Sequence, residues 1–329
     1  MQHDQQGGAE THEEAGIVHD PAGNGRAELA RLTRPRWGVV SWLPRAASGG
    51  AQLSHLGHWK TIYMVFNDFA TRFAVMMVLR LPRGYDLLTP QWRYILLYRM
   101  RRPHEHDFRA LPLLKFSNYP LLVDVGGNIG QSVLSLYTVF PAATVVSFEP
   151  NPTVFRKLQR LTKKFPRLTV IPNGLSDQTG EAELFVPSYN GNVLTGLASF
   201  DYESARSWLS SDRVLRFDPM KLTVSSKRLP LVRLDDCGLQ PDFIKIDVQG
   251  TEYRVLAGGL ETIRTYRPVI MAETIRCGSD AHKILEPLGY RLMEFDGRSF
   301  VEVRGVPRRL NQFLIPAERL SDPPCKREN

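Results

Sequence analysis

The sequence predicts an α/β protein: a doubly wound, mostly parallel sheet filling roughly the last two thirds of the chain, preceded by a helical N-terminal extension. Three observations predict it. From Tyr119 onward, short apolar runs alternate with stretches of helical periodicity. Each early run ends in glycines or an acid, where a strand would hand over to a helix. Residues 1–30 show neither period.

The first run, Leu121 to Val125, ends in Gly126-Gly127-Asn128-Ile129-Gly130, and a helical pattern follows through Phe140. A second strand, Thr144 to Phe148, leads through Glu149-Pro150-Asn151-Pro152 into a helix from about Thr153 to Lys164. A third, Leu168 to Ile171, runs into Asn173-Gly174-Leu175-Ser176-Asp177. This β-α-β-α-β order implies parallel strands with helices on both faces. A less regular insert at 178–230 carries candidate strands at 182–187 and 196–200. The rhythm then resumes, with strands at Phe243 to Asp247, Pro268 to Glu273 and Tyr290 to Phe295. Helices are expected at Glu252 to Leu256 and Ala281 to Leu288, and Phe313 to Ile315 is expected to close the sheet.

Four regions follow: a disordered acidic tail (1–30), a helical extension (31–104), a ligand-binding α/β domain (105–320) and a short C-terminal tail (321–329). In the extension, Met64, Phe69, Phe73 and Met77 recur at helical spacing, and a second helix runs from Pro90 to Met100. Arg101, Arg102 and Pro103 mark its end. Arginines 80, 83, 93, 99, 101 and 102 lie beside apolar faces. That leaves two readings open, a cap packed on the domain or a surface that touches a membrane or the acceptor.

The net charge of +8 is uneven: residues 1–30 carry six acids and one base, leaving +13 on the rest. Such an excess favours an anionic partner without choosing one. Cys237, Cys277 and Cys325 form no CxxC pair, which argues against a disulfide framework or a structural zinc site. The polar N-terminus does not read as a signal peptide, and Thr61 to Leu81 is broken by Asn67, Asp68, Arg72 and Arg80. No uncharged run approaches the roughly 20 residues of a membrane helix, so a cytoplasmic protein is expected.

In open α/β sheets, ligands bind beyond the carboxyl ends of the strands where strand order reverses. Gly126, Gly127 and Gly130 stand there, but the dinucleotide spacing G-x-G-x-x-G is not met. S-adenosylmethionine has no phosphate and asks something different of such a loop. Asp124 would face its ammonium, and the amides around Gly126, Gly127, Asn128 and Gly130 its carboxylate. Glu149, 19 residues after Gly130, would accept bonds from both ribose hydroxyls. Ser176 and Asp177 fall where an adenine edge would lie. Singly these residues read as turns and caps; in order at successive strand ends they point to a nucleoside.

These segments resemble the FkbM-type family of S-adenosylmethionine-dependent methyltransferases. The resemblance covers about 105 to 316 and rests on Val123-Asp-Val-Gly-Gly-Asn-Ile-Gly130, Phe148-Glu-Pro-Asn151, Gly174-Leu-Ser-Asp177 with Gly180, and Val232-Arg-Leu-Asp-Asp236. Most distinctive is Phe243-Ile-Lys-Ile-Asp-Val-Gln-Gly250, continuing to Glu252 and Val255-Leu-Ala-Gly258, then Pro268-Val-Ile-Met-Ala-Glu273 and Leu288-Gly-Tyr290. The resemblance implies a class I methyltransferase fold whose last strand is antiparallel. It also implies O-methylation of a hydroxyl on a sugar, glycolipid or polyketide. Two positions depart from the family: Gly127 replaces a common alanine, expected to be harmless, and Gln249 replaces a common glutamate, so no catalytic acid is expected there.

Methyl transfer to a neutral alcohol needs alignment and a base. Asp247, at the tip of the fourth domain strand, is the leading base or acceptor anchor. Glu273, ending the fifth, would share the acceptor hydroxyl. Lys245 shares a face with Phe243 and Asp247 and, buried, needs an acid such as Asp247, Asp124 or Glu273. Glu252 serves the helix dipole or the acceptor equally well. His104 and His106 read as a polar loop or as a base or metal cluster; Asp247 and Glu273 could share a divalent metal, but nothing in the sequence demands one. Two rivals stand beside the small-molecule or glycan acceptor. One is a silent nucleoside-binding module. The other is an RNA methyltransferase, disfavoured because Asp247-Val-Gln-Gly250 replaces the Asn/Asp-Pro-Pro-Tyr signature.

Overall fold

The computed structural model describes residues 91–320 together with Phe73, Met76, Met77, Leu79 and Arg80. The acidic tail, the C-terminal tail, Met64 and Phe69 lie outside the described residues. The five isolated positions are helical, in keeping with the period read there. Among the described residues, no helix is long and apolar enough to cross a membrane.

In chain order the elements are α1 (Gln91–Arg99), β1 (Leu121–Val125), α2 (Gln131–Val139), β2 (Thr144–Phe148), α3 (Pro152–Gln159) and β3 (Leu168–Ile171). The insert follows as β4 (Gly174–Leu175), β5 (Gly180–Tyr189), β6 (Asn192–Val193), α4 (Tyr202–Ser207) and β7 (Leu222–Val232). Then come β8 (Phe243–Ile246), α5 (Glu252–Ala257), α6 (Leu260–Tyr266), β9 (Val269–Glu273), α7 (Asp280–Lys283), β10 (Tyr290–Phe295), β11 (Phe300–Glu302) and β12 (Asn311–Pro316).

The main sheet has the order β11-β10-β12-β9-β8-β1-β2-β3. From β3 to β9 every neighbour is parallel, while β12 runs antiparallel to both β9 and β10. The chain builds outward from β1 to β3, then returns to lay β8 on the other side of β1. That reversal opens a crevice at the carboxyl ends of β1 and β8. Each face carries its own apolar core. Phe243 and Leu122 join Phe108, Leu136 and Leu158 on one side, whereas Ile244, Ile246 and Val123 join Leu256, Ile263 and Leu285 on the other. The period of two thus gives every central strand two buried faces, which is why these strands read as mainly apolar runs, interrupted only by the buried Asp124, Ser147 and Lys245 near their carboxyl ends. The mostly parallel doubly wound sheet and the antiparallel last strand agree with expectation.

Two expectations need correction, and one strand was not foreseen. The 196–200 segment is a short turn of 3-10 helix at Thr195–Leu197 with a single bridge from Ser199 to Phe185, not a strand. The partner of β5 is instead β7, whose Ser225, Ser226, Lys227, Arg228 and Pro230 conceal a strand. Exposed on most of its length, β7 needs no apolar alternation, and pairing along all of β5 holds it. Finally, the Phe313–Ile315 segment does not close the sheet: β12 inserts between β9 and β10, and β11 forms the edge. All six β12 residues are buried, as an interior strand requires.

Candidate active site

The loop after β1 is tied to the tips of both neighbouring strands. The Gly126 and Gly127 amides both donate to the Phe148 carbonyl, at 2.9 and 3.0 Å. Gly126 has φ +86°, and a Cβ there would collide with the backbone carbonyl of Asp247, so glycine is required. The Asn128 amide donates to Glu149 Oε2 at 2.7 Å, and the Asn151 amide to Glu149 Oε1 at 2.8 Å. Capping of α3 falls to the Asn151 side chain, which accepts from the Thr153 amide. Glu149 is therefore free of that duty. Burial pushes its carboxyl up to about 7 even though both amides favour the charged form.

Across the crevice, the Asp247 amide donates to Val125 O at 2.9 Å, extending the β8–β1 ladder past its last residue. Gln249 adopts φ +55° and its Nε2 donates to Asp247 Oδ1 at 2.8 Å. Lys245 is fully buried, with Nζ 3.9 Å from Asp247 Oδ2 and 3.4 Å from Ile246 O. Burial opposes its charge, but Asp247, Glu273, Glu105 and Asp124 outweigh that and raise its pKa. All three acids named from the sequence thus act on it. Glu105 is the addition: it accepts from Asn311 Nδ2 at 3.0 Å and pairs with His104 Nε2 at 3.2 Å. Burial works against its ionisation, but His104, Lys245 and Asn311 bring it down to about 2. Glu273 is raised to about 7 by burial and by Asp247, with Lys245 opposing. Glu252 turns back to accept the Gly250 amide at 3.0 Å.

A cavity of about 230 Å³ lies between these groups, and Gly126, Asn128, Glu149, Asp247 and Glu273 all line it. The remaining predicted residues stand behind or beside it. Asp124 is fully buried, accepts the Ser147 hydroxyl at 2.7 Å, and is pushed up to about 6 by burial. Gly127 makes room for that hydroxyl: a Cβ would collide with Ser147 Oγ and crowd Leu158, so glycine for alanine is not a neutral exchange here. Gly130 begins α2 in a left-handed conformation, and Lys245 lies beneath Asp247. Ser176 is buried and donates to Asp177 Oδ1, while Asp177 points to solvent near Arg254. From that stretch it is Gly174 and Leu175 that face the cavity.

Sequence reasoning missed Tyr94 of α1 and Leu184, Thr195 and Phe200 of the insert, which complete the walls. No local pattern marks them. His104 is engaged by Ser135 Oγ at 2.7 Å and by Glu105, and His106 stacks on Phe295. Among the described residues, no group of three His, Cys, Asp or Glu could hold a metal.

The lining is rich in acceptors. Beyond the carboxylates, Asn128 Oδ1 and Gln131 Oε1 are buried at the cavity without a hydrogen-bond partner. Such a wall suits a ligand that brings hydroxyl and ammonium donors and a positive charge, and it would repel a phosphate.

The 2-O-methyltransferase NoeI of Sinorhizobium fredii is 28% identical over 149 residues, covering 45% of this chain and 60% of that protein. The hexuronic acid methyltransferase AglP of Haloferax volcanii is 30% identical over 186 residues, covering 56% and 67% respectively. The chain thus spans about three fifths to two thirds of the length of these relatives. A crystal structure of an FkbM methyltransferase from Methylobacillus flagellatus aligns with a TM-score of 0.40 at 19% identity, over 77% of this chain and 60% of that one. The profile of the Methyltransferase FkbM domain matches residues 124–305, more than half of the sequence and every cavity-lining acid. The chain belongs to the FkbM methyltransferase family.

Proposed function

We propose that this protein transfers a methyl group from S-adenosylmethionine to a hydroxyl of a saccharide or secondary metabolite. One observation carries the reading: a single cavity at the strand reversal has Glu149 at one tip and Asp247 with Glu273 at two others. The names of NoeI and AglP, one a 2-O-methyltransferase and one a hexuronic acid methyltransferase, support the acceptor class.

When bound, S-adenosylmethionine supplies a methyl group already activated by its sulfonium, so the protein needs no electrophile of its own. Glu149, held by two amides, offers its remaining lone pairs to the ribose hydroxyls. The orphan oxygens of Asn128 and Gln131 accept from the amino acid end or from bound water. Leu175, Leu184 and Phe200 form the apolar wall for the base. Asp247 takes the acceptor's proton as the new C–O bond forms, since its Oδ1 is fixed by Gln249 and its partner oxygen stands over Lys245. Lys245 does not line the cavity and acts by holding the Asp247 carboxyl in position from beneath. Glu273 shares the acceptor hydroxyl.

The test is direct. Purified protein with S-adenosylmethionine and a panel of hexuronic-acid oligosaccharides, neutral glycans and polyketide alcohols should release S-adenosylhomocysteine with at least one class, with a methyl mass gain on that acceptor. Binding of the nucleoside without turnover on any class, and an Asp247→Asn variant differing only in stability, would instead support a silent binding module.

A further inference from the structure

Helix α1 has two unlike faces. Its inner face belongs to the crevice: Gln91 Nε2 donates to Ile129 O and to Lys157 O, both at 2.9 Å, and Tyr94 lines the cavity. Its outer face carries Trp92 and Leu96, and Met100, one residue past its end, continues the same four-residue spacing; the three are 65%, 48% and 51% exposed. Burial of none of these three is needed to seat the helix, because Tyr94, Ile95 and Tyr98 make its core contacts.

The charge around this line is one-sided. Residues 91–103 contain four arginines and no acid, and residues 152–171, which hold α3 and β3, contain six basic residues and no acid. The two segments pack against each other through the Gln91–Lys157 bond and through Lys164 Nζ, which lies 4.5 Å over the Tyr98 ring. Nine of these ten basic residues are exposed, and the tenth, Lys157, lines the cavity instead. Complementing the α1 dipole accounts for Arg99 and its neighbours but not for the apolar line or for the basic run after α3.

We propose that this face docks on an anionic lipid bilayer, with Trp92, Leu96 and Met100 entering the headgroup layer and the flanking cations holding acidic lipids. A Trp with aliphatic neighbours, rimmed by Arg and Lys, is the composition of an interfacial helix. Duplex nucleic acid would satisfy the cations but leave the aliphatic line in water. A second copy of the chain would set like charges against like. The inference goes beyond the methyl-transfer reading and stands apart from it, since lipid binding needs no donor or acceptor.

The experiment uses the full chain in cosedimentation with vesicles of phosphatidylcholine alone and of phosphatidylcholine with phosphatidylglycerol in equal parts. The protein should pellet with the acidic vesicles, stay soluble with the neutral ones, and be released by added salt. Trp92→Ser with Leu96→Ser, and separately Arg160→Glu with Lys163→Glu, should each weaken partitioning about tenfold or more while keeping the wild-type melting temperature. These residues are exposed and outside the cavity. The proposal is overturned if wild type ignores acidic vesicles, if it binds neutral ones equally, or if both variants bind as wild type. It is also overturned if the same variants abolish self-association or RNA binding with no effect on lipid, which would name a different partner. Because the assay contains no methyl donor, its failure leaves the methyl-transfer reading to its own test.

Discussion

Glu149 combines two conditions that oppose each other: near-complete burial, which favours the acid, and two amide donors, which favour the carboxylate. With its carboxyl at about 7, a ligand that donates two hydroxyls must draw it into the ionised form. Affinity for S-adenosylmethionine should therefore strengthen as pH rises from about 6 to about 8, read by calorimetry at several pH values. Glu149→Gln should flatten that profile and cost about 1.5–3 kcal/mol of binding; a flat wild-type profile would remove Glu149 from the ribose. Asp247 makes the contrasting case, a carboxylate whose role is in turnover. Asp247→Asn should lower kcat by about two to four orders of magnitude while cofactor affinity stays nearly constant, and near-normal turnover would exclude it as base.

Between elements, the critical contacts are those that join strand tips. Gly126 at φ +86° lies against the Asp247 carbonyl, so the β1 and β8 tips can meet only because no side chain intervenes. Gly126→Ala should cost at least about 2 kcal/mol and impair ligand binding; a variant that melts and binds like wild type would refute this account of the loop. A second junction lies at the start of β12. Asn311 stands opposite Glu273 on the ladder, and its Nδ2 donates to both Glu105 and Asp107, each at 3.0 Å. Removing that donor leaves two carboxylates short of a partner. Asn311→Ala should cost about 2 kcal/mol, lowering Tm by about 4–8 °C, and calorimetric melting checks it.

Over the whole molecule, the site concentrates carboxyls that hold their protons too tightly. Asp124 at about 6 and Glu149 and Glu273 at about 7 all lie above their ordinary range. The native state keeps these protons at pH values where the unfolded chain has released them. Their contribution is therefore complete below about pH 4 and is lost as pH rises through about 7. Glu105 behaves in reverse, but its window lies toward about 2 and does not overlap the upper part of this one. The ligand-free protein should show a falling Tm between about pH 5 and 7.5, with a shallower slope in Glu149→Gln. A Tm that is flat or rising over that range contradicts the assignment. A ligand carrying positive charge should restore stability at the upper end, since it compensates the ionised acids.

The apolar runs at Leu121–Val125, Thr144–Phe148 and Val269–Glu273 could be read directly, because a strand buried on both faces is apolar at most of its positions. Their tips carried Gly126, Glu149 and Glu273 into view because glycine and acids in succession end the apolar run where the chain leaves the sheet. Strand β7 was illegible because its faces are largely in water, and the rank of β12 in the sheet was illegible because composition does not specify a neighbour. Glu105, Tyr94 and Phe200 reach the site from segments far away in sequence, and periodicity records burial without recording against what. The order of residues thus determined the doubly buried strands of the main sheet and which acids stand at their ends. Only the packing decided that Tyr94 and Phe200 close the cavity and that Glu105 stands against Lys245, because those contacts arise from which distant elements meet.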